Sequence, residues 1–263
     1  PINATSTGNY YTYVTGGSFK LSSRLESEKY ILNLTNKDGG SDPALYEKGN
    51  DLSLAPFIGG LVGYWNFDEG SGTTAYDYSG YGYNGTMYSS TTPADLHTQS
   101  NCKKGSCVSF DGVDDSVIVN NFKFPSKDHT VLFWFYTKRN DYYPFLLNDY
   151  HYTIWRYSSL SNLAWTTFSS QHNRDLFATT VSLNTWIFVG GVFNSYEKKL
   201  YLNDSLDKTY SSRQVSGLGL VSVIRLGGWS VEGKMMDGLI DEVRIYNRAL
   251  SDAEIKAIYE ATK

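Results

Sequence analysis

The sequence contains no apolar run approaching the roughly 20 consecutive residues that a membrane-spanning helix requires, so no segment of it is a membrane helix. It has no basic stripe either. The 23 Lys and Arg residues are scattered among 27 Asp and Glu residues, for a formal net charge of -4, which excludes a surface built to track nucleic acid or anionic lipid. The two cysteines, Cys102 and Cys107 in CKKGSC, are too few for a disulfide framework. Their spacing can close a small loop as a disulfide in an oxidising compartment, or they can stay as two reduced thiols. No Cys or His cluster lies beside them, which argues against zinc.

Catalytic signatures are missing as well. The chain holds no Glu-x-Asp-x-x-Glu pattern, no Gly-x-Ser-x-Gly elbow, no zinc motif and no phosphate-binding glycine loop. Asp241 and Glu242 are adjacent, and on a regular strand adjacent side chains point to opposite faces, so they are not expected to work as the facing carboxylate pair of a glycosidase. His97, His129, His151 and His172 have no companion pattern, and surface or packing roles are expected of them. A binding protein rather than an enzyme is the expectation. The chain also begins at Pro1 without a Met or a signal-peptide pattern, as a mature or trimmed piece of a longer protein would.

What the chain has in quantity is aromatic residues: 22 Tyr and 6 Trp stand against 6 Pro and 3 Met, a balance suited to pleated strands that pack flat rings. From Leu61 onward, short β-prone runs alternate with turn signals. They are Gly63–Phe67, Cys107–Phe110, Ser116–Val119, His129–Tyr136, Phe145–Leu147, Tyr152–Tyr157, Leu163–Phe168, Trp186–Phe193, Lys199–Asn203, Ser222–Leu226 and Gly238–Tyr246. The fold class is therefore all-β, a two-sheet antiparallel sandwich. In VLFWFYT hydrophobic residues fill both parities, which predicts a central strand covered on both faces, whereas KKLYLNDS alternates and predicts one wet face. Ser251 and Glu254 form a capping box ahead of an apolar stripe of Ile255, Ile258 and Tyr259, which predicts a short amphipathic helix closing the chain against the sandwich.

The first 57 residues read differently. NYYTYVTGGSFKLSSRLESEKY alternates like a β-hairpin turning at Thr15-Gly16-Gly17. KDGGSDPALYEKGNDLSLAP is rich in Gly, Asp and Pro and reads as an ordered loop or linker. The expected division is residues 1–57 and residues 58–263.

The stretches LVGYWNFDEGSGTTAYDYSGYGYNGTM, CVSFDGVDDSVIV, HTVLFWFYT, NTWIFVGGVFN, KKLYLNDS, IRLGGW and DGLIDEVRIYNRALSDAEIKAIY, in that order, resemble the laminin-G-like jelly-roll family of concanavalin-like domains. They cover nearly all of Leu61–Tyr259. The chain departs from that family's usual Trp-His at Trp186-Ile187, and from its Tyr-x-x-Gly hairpin at Tyr201-Leu202-Asn203-Asp204. The resemblance implies a jelly roll and a Ca²⁺ ion near the sandwich edge, with Asp68, Asp77, Asn84 of the Ser79–Asn84 turn and Asp241 as its oxygen donors. The alternative is that Asp68 and Asp77 satisfy turn N–H groups and Asp241 caps a strand end. FDGVDD reads as a tight turn rather than a second metal site at Asp111, Asp114 and Asp115.

The N-terminal YYTYVTGGSFKLSSRLESEKY and DGGSDPALYEKGNDLSLAP resemble the C-terminal half of type IV pilin-like and pseudopilin subunits without their hydrophobic first helix; a plain hairpin docked on the sandwich is the alternative. The pilin resemblance implies a prokaryotic, extracellular or cell-surface protein whose partners include other pilin-like subunits. In that setting the sequons at Asn3, Asn33, Asn84 and Asn203 are chance tripeptides. A ligand surface is expected where aromatic residues concentrate, at Tyr142, Tyr143, Tyr150 and Trp155, with Trp229 a further rim residue; these rings could stack on a glycan. The expectation for the whole is an adhesion module contacting glycans or proteins, with a purely structural filament subunit and the accessory domain of a carbohydrate-active enzyme as alternatives.

Overall fold

The computed structural model describes residues 10–14, 18–23, 46–49, 59–89, 97–98, 100–125, 128–139, 143–148, 152–157, 162–167, 176–194, 196–211, 222–229 and 234–263. They form two compact units, Pro1–Gly59 with Ala253–Ala261, and Gly60–Asp252 with Thr262–Lys263. In the first, β1 (Tyr10–Val14) and β2 (Ser18–Ser23) pair antiparallel with Val14 opposite Ser18, the hairpin register that the alternation predicts. A third strand, β3 (Tyr46–Gly49), pairs with β2 in the segment read from sequence as loop or linker. The free edge of β2 offers unpaired N–H and C=O groups, and pairing with it overrides the weak local preference of YEKG.

The second unit is the sandwich. Its strands are β4 (Leu61–Trp65), β5 (Thr74–Ala75), β6 (Gly85–Tyr88), β7 (His97–Thr98), β8 (Cys107–Asp111), β9 (Ser116–Asn120), β10 (His129–Thr137), β11 (Tyr143–Asn148) and β12 (Tyr152–Tyr157). They continue with β13 (Asn162–Thr167), β14 (Leu176–Thr180), β15 (Trp186–Asn194), β16 (Glu197–Leu202), β17 (Ser205–Ser211), β18 (Val223–Leu226), β19 (Gly228–Trp229), β20 (Lys234–Met235) and β21 (Asp237–Tyr246). One sheet runs β17-β16-β15-β10-β21-β8-β7, with β4 also on β21; the other runs β14-β13-β12-β11-β18-β9-β6-β5; β19 and β20 pair separately. All pairings are antiparallel, as the sequence pattern predicts.

The two sheets enclose one apolar core that includes Trp65, Phe110, Val117, Phe133, Trp165, Val189, Ile224, Ile240 and Ile245. β10 lies between β15 and β21 and is buried on both faces, which is why its hydrophobic residues fill both parities. In β16 the expectation of a wet face holds only in part, since Lys198 and Tyr201 are buried with Leu200. The β16–β17 hairpin turns in two residues, Asn203-Asp204, between the paired Leu202 and Ser205; Asn203 takes the left-handed conformation (φ 56°), which Asn tolerates, and Asp204 stands where the family has Gly. Ile187, at the other departure, is a core residue. His129 is fully buried and stacks on Phe193 at 4.9 Å, a packing role.

β21 is the hub of its sheet. One edge pairs with β10, and the other with β8 over Asp237–Ile240 and with β4 over Val243–Tyr246. Its register against β10 jumps between Leu132–Arg244 and Trp134–Asp241, so Glu242 and Val243 together face Phe133, and Glu242 has φ 56°. This is a β-bulge. Beyond β21, the Asn247 N–H donates to the Gly60 carbonyl at 2.7 Å, so the strand that enters the sandwich and the strand that leaves it are tied together. The helix α1 (Asp252–Thr262) follows Ser251 as predicted, with Ile255 and Ile258 buried. Asp252 accepts from the Tyr201 hydroxyl at 2.6 Å, and the Trp134 Nε1–H donates to Thr262 Oγ1 at 2.9 Å. Among the described residues no helix is long and apolar enough to cross a membrane.

Trp65 is fully buried, packs on Phe122 at 5.9 Å between ring centroids, and donates through Nε1 to the Tyr83 carbonyl at 2.9 Å. Trp65→Phe removes that donor and leaves a partly buried carbonyl unpaired, and should lower stability by about 1–3 kcal/mol. A shifted urea midpoint at unchanged slope is the expected readout.

Candidate functional site

The bulge decides where the acidic residues of β21 go. Ile240, Val243 and Ile245 belong to the core, so Asp241 and Glu242 both lie off the core face, and both are buried. The expectation that their side chains point to opposite faces is therefore overturned: alternation holds for a regular strand, and the extra residue breaks it. Each carboxylate has its own engagement. Glu242 pairs with the Arg244 guanidinium, and the Tyr64 hydroxyl donates to both of its oxygens at 3.2 Å. The guanidinium also lies over the Tyr64 ring, 4.2 Å from its centroid.

Asp241 reaches the loop between the cysteines. Cys102 and Cys107 are joined as a disulfide with their Cα atoms 5.4 Å apart, resolving the choice that the spacing left open. Within the loop, the Lys104 N–H donates to Asp241 Oδ2 at 2.9 Å and the Ser106 N–H to Asp68 Oδ1 at 2.8 Å. Two carboxylates distant in sequence thus hold neighbouring amides of one six-residue ring of chain, running from Cys102 to Cys107. Gly105 between those amides has φ 58°, and a Cβ there would lie 2.0 Å from Asp68 Oδ1, so the close approach requires glycine. Asp241 Oδ1 is buried without a hydrogen-bond partner among the described residues. Burial raises the Asp241 pKa to about 8; the Lys104 amide opposes the shift, while the negative charges of Glu242 and Asp68 add to it.

The other two residues expected at a metal do different work. Asp77 Oδ1 accepts from the Tyr64 and Ser79 amides at 3.0 and 2.9 Å, and Oδ2 from the Ser79 hydroxyl and the Tyr83 amide at 2.8 and 2.9 Å. All four acceptor positions of the carboxylate are filled. Asn84 Oδ1 accepts from the Asp77 N–H at 2.9 Å. Both residues build the turn, the alternative role that the sequence offers for Asp77. In FDGVDD, Asp111, Asp114 and Asp115 bring carboxylate oxygens within 4.8 Å of one another, but Asp115 accepts from the Asp111 amide and Asp111 from the Val113 amide, as in the expected turn. Of the expected ligand-binding residues, Tyr142 and Tyr150 lie outside the described residues; Tyr143, Trp155 and Trp229 belong to β11, β12 and β19, but their side chains lie outside the description.

A jelly roll with this strand order defines a class, and the family comparison names it: residues 111–256, more than half of the chain, match the model of the Concanavalin A-like lectin/glucanases superfamily, and the chain belongs to it. No curated protein matches the sequence. Among solved structures, the chain is similar to the binding domain of Paraclostridial Mosquitocidal Protein 1, with a TM-score of 0.61 and 18% identity over 78% of this chain and 52% of that one. It is also similar to domain 4 of AbnA, a GH43 extracellular arabinanase from Geobacillus stearothermophilus, in complex with arabinotriose (TM-score 0.59, 18% identity, 74% of this chain and 96% of that one). A third is the binding domain of botulinum neurotoxin DC in complex with SialylT (TM-score 0.60, 14% identity, 79% and 53%). The chain spans about half the length of the two toxin domains, and at these identities the likeness is one of fold.

Glu242→Ala leaves the buried Arg244 without its carboxylate and should cost about 3–5 kcal/mol in a denaturant titration, whereas a surface carboxylate would cost almost nothing. For Asp241, the folded-state pKa of about 8 lies above the ordinary 3.8, so between those values the unfolded chain has released a proton that the folded chain keeps. The contribution of this group is fully present at acid pH and is lost as pH rises toward 8. In chelated buffer the melting temperature of Asp241→Asn, relative to the unsubstituted protein, should therefore climb across that window.

Proposed function

We propose that this chain is a cell-surface or extracellular binding module whose sandwich contacts glycans, and that it acts without catalysing a reaction. The observation that carries the reading is that a Concanavalin A-like jelly roll engages its two adjacent buried acids in structural bonds, Glu242 with Arg244 and Tyr64, Asp241 with the Lys104 amide. A glycosidase needs two carboxylates facing a substrate from about 5 to 9.5 Å apart. The Cys102–Cys107 disulfide is consistent with an oxidising compartment. The arabinotriose complex of the similar arabinanase domain makes a neutral oligosaccharide the natural first probe. Through the resemblance of residues 1–57, we read the sandwich as the outer domain of a pilin-like filament subunit; the antiparallel β1–β3 sheet supports this reading.

Ca²⁺ belongs to the same proposal. Asp241 offers a buried oxygen without a partner beside the like charge of Asp68, and hard oxygen donors of this kind suit calcium. The two residues would hold the ion, which would neutralise their repulsion and fasten the disulfide loop.

Glycan-array screening and isothermal titration test the main reading: binding of at least one oligosaccharide is expected, and silence on glycans together with measurable hydrolysis would refute it. Immunogold imaging of native material should place the chain on fibres. With calcium at a hundredfold excess over Kd, thermal unfolding should show about 2.7 kcal/mol of stabilisation, lost in both Asp68→Asn and Asp241→Asn. A melting temperature indifferent to Ca²⁺ and EDTA would remove the ion from the proposal.

A further inference from the structure

Tyr76, Tyr78 and Tyr81 expose 51%, 52% and 60% of their surface within a six-residue stretch, an unusual concentration of large rings in water. Their backbones, by contrast, are fixed. The Tyr76 amide donates to Glu69 Oε1 at 2.8 Å, the Tyr78 amide to the Tyr64 carbonyl at 2.7 Å and the Tyr81 amide to Ser79 Oγ at 3.3 Å. The Asp77 carboxylate, with its four bonds, sits at the centre of this turn.

Two of the outer rings also rest on inner ones. Tyr81 lies parallel to Tyr83, 6.2 Å away and 4° from coplanar orientation, and Tyr83 packs edge-on against the core residue Phe122 at 4.8 Å. Tyr78 meets Tyr64 edge-on at 6.2 Å, and Tyr64 is held by Glu242 and Arg244. The rings are therefore displayed on a preorganised support. Little conformational entropy remains to be lost when a ligand covers them, and tyrosine gives a large flat contact with few rotatable bonds.

We propose that this tyrosine turn is a glycan-binding platform for neutral oligosaccharides, distinct from the aromatic segment 142–157. The proposal rests on the glycan-binding reading above and gives it a location. The aromatic faces match the C–H faces of a pyranose or furanose, and the phenolic hydroxyls match its hydroxyl rim. Charge selects among glycans. Residues 69–84 carry two acids, Glu69 and Asp77, and no Lys or Arg. The nearby guanidinium of Arg244 is buried against Glu242 and Tyr64. A sialylated or sulfated ligand would find no cation in this turn to pair with, and a neutral one needs none.

The test is titration calorimetry of the intact chain with arabinotriose, xylotriose, cellotriose and chitotriose, with 3′-sialyllactose as the anionic comparison, against Tyr76→Ala, Tyr78→Ala, Tyr81→Ala and the triple variant. Each single substitution should weaken binding of a neutral trisaccharide about fivefold to tenfold, where tenfold is 1.4 kcal/mol, and the triple variant should abolish it. The melting temperatures of the single variants should stay close to that of the unsubstituted protein, since the rings are exposed. Tyr81→Phe, which keeps the ring, should retain most of the affinity that Tyr81→Ala loses. If the unsubstituted protein binds a neutral trisaccharide and the triple variant binds it within about twofold, this platform is wrong while the glycan-binding reading stands. Preference for 3′-sialyllactose would also overturn it. If no neutral trisaccharide in the panel binds, this platform falls, and the glycan array decides the wider reading.

Discussion

The bulge in β21 is the constraint on which the rest of the sandwich depends. A regular strand with Ile240 in the core would also send Glu242 and Arg244 inward, placing an ion pair between the two sheets. One extra residue opposite Phe133 shifts the phase instead, so that Ile240, Val243 and Ile245 line the core. The left-handed backbone of Glu242 is the cost, and the pairing of Glu242 with Arg244 and Tyr64 offsets it. Because β21 pairs with three other strands, this single change of phase sets the faces of its whole sheet.

The same change of phase joins features far apart in sequence. Asp241 is delivered to the Lys104 amide, and Asp68, just beyond the end of β4, to the Ser106 amide. A loop that is closed covalently at its base is thus gripped electrostatically along its length. Of the two acids that make the grip, Asp241 is buried and keeps its proton up to about pH 8, whereas Asp68 is exposed. Asp77 does comparable work in a neighbouring turn, where every one of its acceptor positions is met by an N–H or O–H.

Long strands were legible because they carry a full period of pattern. The filled parities of His129–Thr137 announce a central strand, and the run Trp186–Asn194 reads the same way. Strands of two residues, such as Thr74–Ala75, His97–Thr98 and Lys234–Met235, carry no period and are defined by their partners alone. The spacing of Cys102 and Cys107 pointed to a bridge, and the capping signals at Ser251 pointed to the helix. The faces of Asp241 and Glu242 were misread because a bulge leaves no mark on hydrophobic alternation until the partner strand is known. The turn roles of Asp77 and Asn84 were legible beside the metal role that family resemblance implies. Their local chemistry, an Asp two residues before a Ser in a Gly-rich turn, already contained the alternative that the structure shows. The exposed tyrosines went unnoticed because aromatic residues in a β-rich chain are ordinarily core.

The bond between the Asn247 amide and the Gly60 carbonyl makes the sandwich separable from what surrounds it in a chain. A sandwich whose first and last strands lie side by side, Leu61 opposite Tyr246, presents its incoming and outgoing chain at one place. Such a body can be spliced into a surface loop of an unrelated host without prising the host's own segments apart, and can be lost again as cleanly. In such a body the sheets can be kept while short turns, such as the tyrosine turn at residues 76–83, change their surface chemistry.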